Sequence, residues 1–441
     1  MIAEYDSGGV DMKEVRFDKG HKHKNYWRQL FRNKKFQFCL GIFIFMQFLF
    51  VLGVYFGFYG EGSHNMLYFS DIHYDIAYNP TKPSKTWCHD TTNETAPYSK
   101  YGKYGCESPK ALVDAFLSDV KRIISSPRLI MCGGDTTNTW KQTHTFDKVI
   151  KNINYVTQSM RKSYPKVPFI YNLGNGDYYP SYGAFNTDKE QFSQIADTLG
   201  DYLTPEQHKN FSKGGYYYYD EDHHRIRIIS FNSIIYSINR KLISEDDPYD
   251  QFKFLKEALQ TKFHKVLLFH MHPGITDPNK PLEWHKKFID QFSKILNENP
   301  PDTILTAHTH FDMLMPIHGT DLISLSNPGI SPRLGNNPAF RVYHFTRGQL
   351  LDYFQYNYDL SQRNEIPRWK FEYKFTETYK HKYISQIALK KTIKWINKSL
   401  QNFQLYLSHL HAGGTHDMWF YKCVMTTNSK EDYQNCVNQF F

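Results

Sequence analysis

At 441 residues the chain is long enough for one large domain with additions or for two ordinary ones, and ample to bury a core. Its formal net charge is +9, yet the basic residues form no arginine-rich stripe and no nucleic-acid module is recognisable, so no nucleic-acid partner is expected. The 17% aromatic content is spread through the chain without an internal repeat and reads as packing.

Residues 1–35 are polar, mixed in charge and without apolar periodicity, which predicts a cytosolic tail. Residues 36–60 carry no charge and have aromatics at both ends, so they predict a transmembrane helix. Arg28, Arg32, Lys34 and Lys35 precede it and only Glu61 and His64 follow closely. The positive-inside tendency then gives a type II single-pass protein whose large C-terminal part is lumenal or extracellular. With Cys39 in the span and Cys132 in a strand, the expected bridges are Cys88–Cys106 and Cys423–Cys436. Asn93, Asn210 and Asn397 stand in glycosylation sequons on the same side.

Met66–Phe69 reads as a short buried strand leading to Asp71-x-His73. Side chains two apart on a strand share a face, so this pair is expected to reach one ion beyond the strand's end. A Pro-, Gly- and Tyr-rich loop follows from Asn79 to Gly105, and then a helix over Ala111–Ile124. A strand at 129–131 runs into Gly134-Asp135, a helix covers 146–160, and a strand at 168–171 delivers Gly174-Asn175. Further on, a helix is expected over 188–203, a strand over 226–231, a helix over 251–259 and a strand over 265–269 ending at His270-Met271-His272. A helix over 282–296 precedes a strand at 303–305 and His308-Thr309-His310. Strands are then expected at 322–326, 340–345 and 350–358, with amphipathic helices between Tyr383 and Leu410. Polar clusters after short apolar strands are what an α/β protein assembles at the carboxyl ends of its sheet.

Two divalent ions about 3.5–4 Å apart can clamp a phosphoryl group, and they need a bridging carboxylate, several imidazoles and a neutral oxygen donor. In order, Asp71-x-His73, Gly134-Asp135, Gly174-Asn175, His270 and His308-x-His310 resemble the calcineurin-like metallophosphoesterases. Within them, Tyr104-Gly105-Cys106-Glu107-Ser108-Pro109, His270-x-x-Pro273-Gly274 and the C-terminal cysteines resemble the acid sphingomyelinase-like branch, which includes vacuolar endopolyphosphatases of type II topology and so implies a vacuole or lysosome-like compartment. The resemblance implies an α/β fold, a layered β-sandwich flanked by helices. To this the chain adds the N-terminal transmembrane helix and a helical, disulfide-containing extension over 361–441, the enzyme domain being 61–360.

Carried over by position, Asp71, His73 and His310 would hold one metal, Asn175, His270 and His308 the other, and Asp135 would bridge both and be central to catalysis. Zinc suits the imidazole-rich set, with manganese or iron also compatible. The implied activity is hydrolysis of a phosphodiester or phosphoanhydride by attack of a metal-bound hydroxide, on polyphosphate, a nucleotide or a phosphocholine ester, by a membrane-anchored enzyme. An endopolyphosphatase or a weakened metal-binding pseudoenzyme are the alternatives. The chain departs from the family where a proton-donating His usually follows Gly-Asn, since Gly176 stands there, and where another follows the bridging Asp, since Asn138-Thr139 stand there. A phosphate leaving group needs less protonation than an alkoxide, so these losses tilt the expectation toward anhydrides. His272 is either a proton-supplying, substrate-facing group or a surface histidine.

Overall fold

The computed structural model describes residues 64–276, 282–346, 348–362, 365–410, 418–427 and 430–438, with the single positions Gln37 and Gln47. Two units divide the chain between Gly62 and Ser63, and all the elements below lie in the second.

Two six-stranded mixed sheets carry the fold. In the first, β1 (Asn65–Phe69), β2 (Leu129–Cys132) and β3 (Phe169–Tyr171) run parallel, with Leu67 opposite Ile130 and Ile130 opposite Phe169. In the second, β4 (Tyr217–Glu221) lies antiparallel to β5 (Ile226–Ser230), which runs parallel to β6 (His264–Leu268) and, through it, to β7 (Thr303–Thr306). This sheet ends with β8 (Met313–Pro316) paired outside β9 (Ile323–Ser326). The first sheet is completed by β10 (Ala339–Thr346), β11 (Gln349–Asn357) and β12 (Lys370–Lys374), added antiparallel on the far side of β1. Leu-Ile-Met-Cys in β2 and Thr-Ile-Leu-Thr in β7 are buried throughout, the pattern of parallel strands covered on both faces.

Helices α1 (Lys110–Ile123) and α2 (Phe146–Ser163) make the crossovers β1 to β2 and β2 to β3. Leu112, Val113, Phe116, Leu117 and Val120 of α1 repeat at helical spacing and are buried. Thr145 caps α2 by accepting from the Lys148 N–H. Helices α3 (Asp188–Leu199) and α4 (Pro205–Gly214) follow β3, and α4 opens with a capping box between Thr204 and Gln207. Helix α5 (Gln251–Ala258) joins β5 to β6, and α6 (Lys286–Glu298) joins β6 to β7.

The sheets are tied to each other by buried polar groups as well as by apolar packing. Tyr68 Oη on β1 donates to the Thr306 carbonyl on β7 at 3.0 Å, and Asn172 Nδ2 donates to Ser230 Oγ at 2.9 Å and the Phe231 carbonyl at 3.0 Å. Arg341 on β10 is wholly buried, pairs with Asp312 and donates to the Ser326 carbonyl on β9 at 2.9 Å. Removing one partner of such a pair leaves the other charge stranded, at about 3–5 kcal/mol.

After β12 come α7 (Phe375–Tyr379), α8 (Gln386–Ile396), α9 (Leu400–Leu410), α10 (Met418–Thr426) and α11 (Lys430–Val437). Helix α8 packs on β9 and α10 on β8, so these helices cover the outer strands of the second sheet. Disulfide Cys423–Cys436 joins α10 to α11, and Cys88–Cys106 closes the long loop after β1. Cys132 is free and buried, and Cys39 lies outside the described residues.

The expectation of a membrane anchor is corrected. Among the described residues no helix is long and apolar enough to cross a membrane. The longest described helix, the 18-residue α2, carries Asp147, Lys148, Lys151, Arg161 and Lys162. Apolarity of a run does not by itself make a spanning helix, and residues 36–60 lie outside the described residues except for Gln37 and Gln47. The single-pass topology, the membrane partner and the lumenal placement drawn from that run fall with it. Of the sequons, Asn93 is exposed in a loop, Asn210 lies within α4, and Asn397 at the end of α8 gives its amide N–H to the Ile393 carbonyl.

Candidate metal centre

The turns that leave β1, β2, β3, β6 and β7 converge at one pole, and each brings polar side chains. Asp71, His73 and His310 form one cluster and Asp135, His270 and His308 another, the ligand-type atoms of each lying within 4.8 Å of one another. Asp71 and His73 share one cluster, as the sequence leads one to expect, but from a turn and not from a common strand face. Asp71 and His73 lie beyond the end of β1 with φ of 50° and 46°, and His308 and His310 separate into different clusters. Asp135, His308 and His310 are left-handed as well, with φ of 55°, 71° and 60°. Side chains larger than glycine's rarely adopt this backbone, at a cost of about 1–3 kcal/mol each, and such strain gathers at functional sites.

Backbone carbonyls fix which imidazole nitrogen faces inward. His270 Nδ1 donates to the Gly133 carbonyl at 2.8 Å and His310 Nδ1 to the Ser331 carbonyl at 3.1 Å. The Nε2 lone pair of each ring therefore points into its cluster. His310 Nε2 stands 3.2 Å from His73 Nε2, and His270 Nε2 stands 3.2 Å from His308 Nδ1. Asp135 Oδ2 lies between the clusters, 3.2 Å from His73 Nε2 and 3.3 Å from His270 Nε2, while its Oδ1 is held at 2.6 Å by the Gly176 N–H. The Asn175 side-chain oxygen stands 3.2 Å from Asp135 Oδ2 and 3.0 Å from His308 Nδ1, and its amide N–H₂ faces Ser181 Oγ at 3.5 Å. Turning that amide would let it donate to both. With its oxygen inward, Asn175 completes a ring of acceptors that a cation satisfies.

Charge in this buried place is strongly redistributed. Burial, and then the Asp135 carboxylate, push Asp71 up to about 6 against the pull of His270. Burial would lift Asp135 too, but the His270 and His73 imidazoles hold it well below the usual carboxylate range. Burial would lower His270, yet Asp135 wins and pushes it up to about 9. Two carboxylates and inward nitrogen lone pairs buried together are the donor set of hard and borderline divalent ions, so the residues present fit a metal pair.

Around this centre stand groups that the sequence did not single out by role. Glu107, fully buried, lies 3.4 Å from His73 Nδ1 through Oε2 and accepts from Arg333 Nη1 at 2.8 Å through Oε1. Arg333 Nη1 also donates to Thr139 Oγ1 at 2.7 Å, and its guanidinium lies 4.2 Å over the Trp87 ring. Glu107 and Trp87 each adjoin a cysteine of the Cys88–Cys106 bridge, so one cross-link steadies the brace of His73 and the seat of Arg333. The only signal for Glu107 in the sequence was its place in the Tyr104–Pro109 motif; Arg333 gave none.

A cavity of about 1060 Å³ opens over both clusters. Tyr179, Tyr182, Phe311, Phe420 and Tyr421 give it an aromatic wall, the last two from α10, and Arg333 and Lys141 give it positive charge. His272 does not join it. Its ring lines a separate small cavity with Pro316 and Val424, Nδ1 accepts from the Gly274 N–H at 2.9 Å, and burial pushes its pKa down to about 3. His144 does line the metal cavity.

Comparison with known proteins agrees with this geometry. The family model for calcineurin-like phosphoesterases matches residues 64–312. The chain is similar to human acid sphingomyelinase-like phosphodiesterase 3b, 25% identical over 409 residues, covering 83% of this chain and 89% of that protein. It is similar to sphingomyelinase phosphodiesterase C of Dictyostelium discoideum, 26% identical over 377 residues, covering 77% of this chain and 84% of that one. It is also similar to a cyclic GMP-AMP phosphodiesterase of Bos taurus, 25% identical over 410 residues, covering 84% and 90%.

Proposed function

This chain belongs to the calcineurin-like phosphoesterases, and on that premise we propose that it is a two-metal hydrolase of phosphodiesters that carry an organic group. The observation that carries the reading is Asp135 Oδ2 standing between two His/Asp clusters at the floor of one cavity. Asp71, His73 and His310 would hold one ion, Asn175, His270 and His308 the other, and Asp135 both. The two imidazoles at each ion favour zinc. When bound, such a pair supplies Lewis acidity to the phosphoryl oxygens and lowers the pKa of water.

The chain's own residues do the rest. The Gly176 N–H takes up Asp135 Oδ1 and leaves Oδ2 for the clusters. The Glu107 carboxylate stands 3.4 Å from His73 Nδ1, on the side of the ring opposite the Nε2 that faces the clusters. The aromatic wall excludes water and offers flat apolar surface to an organic substituent, and the relatives are named for cleaving diesters of that kind.

A second reading, hydrolysis of phosphoanhydrides such as polyphosphate, is favoured by Arg333 and Lys141 on the cavity wall, where a further phosphate would meet two cations. One experiment tests both. The purified protein is stripped with a chelator, reloaded with zinc or manganese, and given nucleotide diesters, phosphocholine diesters and long-chain polyphosphate. Metal-dependent turnover of a diester supports the main reading, chain shortening of polyphosphate with intact diesters supports the second, and turnover that survives chelation sinks both.

A further inference from the structure

The diester reading leaves a chemical need open. When a diester of an ordinary alcohol is cleaved, the P–O bond breaks with its electron pair on the departing oxygen, and an alkoxide leaves poorly unless a proton reaches it in the transition state. The residues directly around the clusters supply no such donor. Gly176 has no side chain, and a Cβ there would meet the Thr137 carbonyl oxygen at 2.5 Å, so none fits. Thr139 Oγ1 is taken by Arg333.

Among the other polar residues on the cavity wall the choice is narrow. Arg333 is committed to Glu107 and Thr139. Lys141 is exposed and, among the described residues, has no partner that fixes it over the clusters. Tyr182 is pushed up by burial and then by Glu283 and Asp135, which makes its phenol a still poorer donor. Glu283 already accepts from Thr276 Oγ1. Among the described residues, His144 is the one imidazole on this wall that belongs to neither cluster, and it is built in. Nε2 bonds the Gly176 carbonyl at 3.0 Å, next to Asn175 of the second cluster. Nδ1 has no protein partner among the described residues, and the ring lines the cavity, edge-on to Tyr179 with centroids 5.7 Å apart.

The loop that carries it is fastened from both sides. Asn138 Nδ2 donates to Asp75 Oδ1 at 2.8 Å, and the Trp140 ring stacks on His89 at 3.6 Å. His89 is in turn bonded to Asp75 Oδ2 at 2.5 Å. The His144 N–H then closes a turn on the Trp140 carbonyl at 2.9 Å, and Thr145 caps α2 immediately after it. A satisfied structural histidine would need only the Gly176 bond; a ring that also faces the cavity over the clusters is placed for chemistry.

We infer that His144 is the general acid of this site, giving its proton to the leaving alcohol of a phosphodiester. In balance, the oxygen of one water bonds to phosphorus, the bond from phosphorus to the ester oxygen breaks, and that oxygen takes the proton from the imidazolium. The proton set free from the water restores the imidazolium. Burial first, partly opposed by the Gly176 carbonyl and Asp135, lowers the affinity of this ring for its proton, which makes the protonated form a readier donor. The inference rests on the diester reading above.

The test uses the metal-loaded protein and a series of thymidine 5′-phosphate esters, p-nitrophenyl, phenyl and 2-methoxyethyl, whose leaving groups need protonation to a rising degree. In the wild type the rate is expected to fall little along the series. His144→Gln keeps an N–H for the Gly176 carbonyl and is expected to lose about 100-fold or more on the methoxyethyl ester and less than about threefold on the p-nitrophenyl ester, with metal content and melting temperature unchanged. An equal loss on all three esters, or none on any, overturns the assignment. Where His144→Gln loses metal, the wild type decides, since a steep fall from the nitrophenyl to the alkyl ester shows that no proton is delivered. In His144→Ala, rescue of the alkyl ester by added imidazole supports the role, and rescue of neither or of both esters equally counts against it. If no ester is cleaved by the wild type, the diester reading has failed; if the nitrophenyl ester is cleaved without discrimination by His144, only this inference has.

Discussion

The first sheet contributes both cluster carboxylates, Asp71 and Asp135, with the amide of Asn175 and one imidazole, His73; the second contributes three imidazoles, His270, His308 and His310. Neither sheet holds a complete cluster. Asp71 and His73 need His310 from across the interface, and His270 and His308 need Asp135 from across it. The site is therefore a property of the docked sheets, and the buried polar ties between them belong to its construction as much as the ligands do.

Four perturbations break or sharpen that comparison. The largest effect is expected from Asp135→Asn, the one residue that faces both clusters. Loss of the clamp, worth several kcal/mol, corresponds to a rate fall of about 1000-fold, with metal content by elemental analysis reduced and far-UV circular dichroism unchanged. Next is Arg341→Met, which strands Asp312 at the junction of the sheets. Denaturant unfolding should show about 3–5 kcal/mol lost, and adding Asp312→Leu should restore part of it, because a paired deletion strands no charge. Unchanged stability in the single variant would mean that the sheets dock without this tie.

Glu107→Gln removes the carboxylate behind His73 and should weaken zinc affinity, measured by competition with a chromophoric chelator, by about 10–100-fold without unfolding. The smallest effect concerns Asp119 on α1. Burial would raise its pKa, but bonds from Arg122, the Trp369 N–H and Arg368 hold it below the usual value. A depressed carboxylate adds stability above the unfolded value of about 3.9, and this is lost as pH falls through the folded one. Asp119→Asn should therefore cost less than about 1 kcal/mol at neutral pH, in view of its exposed arginine partners, and the cost should shrink as thermal unfolding is repeated at falling pH.

What could be read from the sequence divides along physical lines. Short apolar runs closed by polar turns located β1, β2, β3, β6 and β7, because buried parallel strands leave a continuous apolar record. Strands β4, β8 and β12 left none. Tyr-Tyr-Tyr-Asp-Glu and Lys-Phe-Glu-Tyr-Lys mix polar residues into edge strands, and β8 ends on Pro316. Residues 205–214 were not read as a helix, since α4 is short and half polar. The cysteine pairs were legible from their spacing. His272 was misread because nothing local tells a histidine facing the metal cavity from one turned into another. The roles of Glu107 and Arg333 depend on contacts more than 200 residues apart in the chain, and His144 on a carbonyl 32 residues away, which periodicity cannot reveal.

The left-handed turns under Asp71, His73, Asp135, His308 and His310 bear on how this protein can change. At each of these positions glycine relieves a backbone cost of about 1–3 kcal/mol that most other replacements keep. Loss of a ligand to glycine would thus be repaid in folding stability, and a chain released from selection on its chemistry would drift toward a sturdier, silent relative. Aspartate and histidine in all five turns therefore hold the clusters at a cost in folding stability that glycine would not carry.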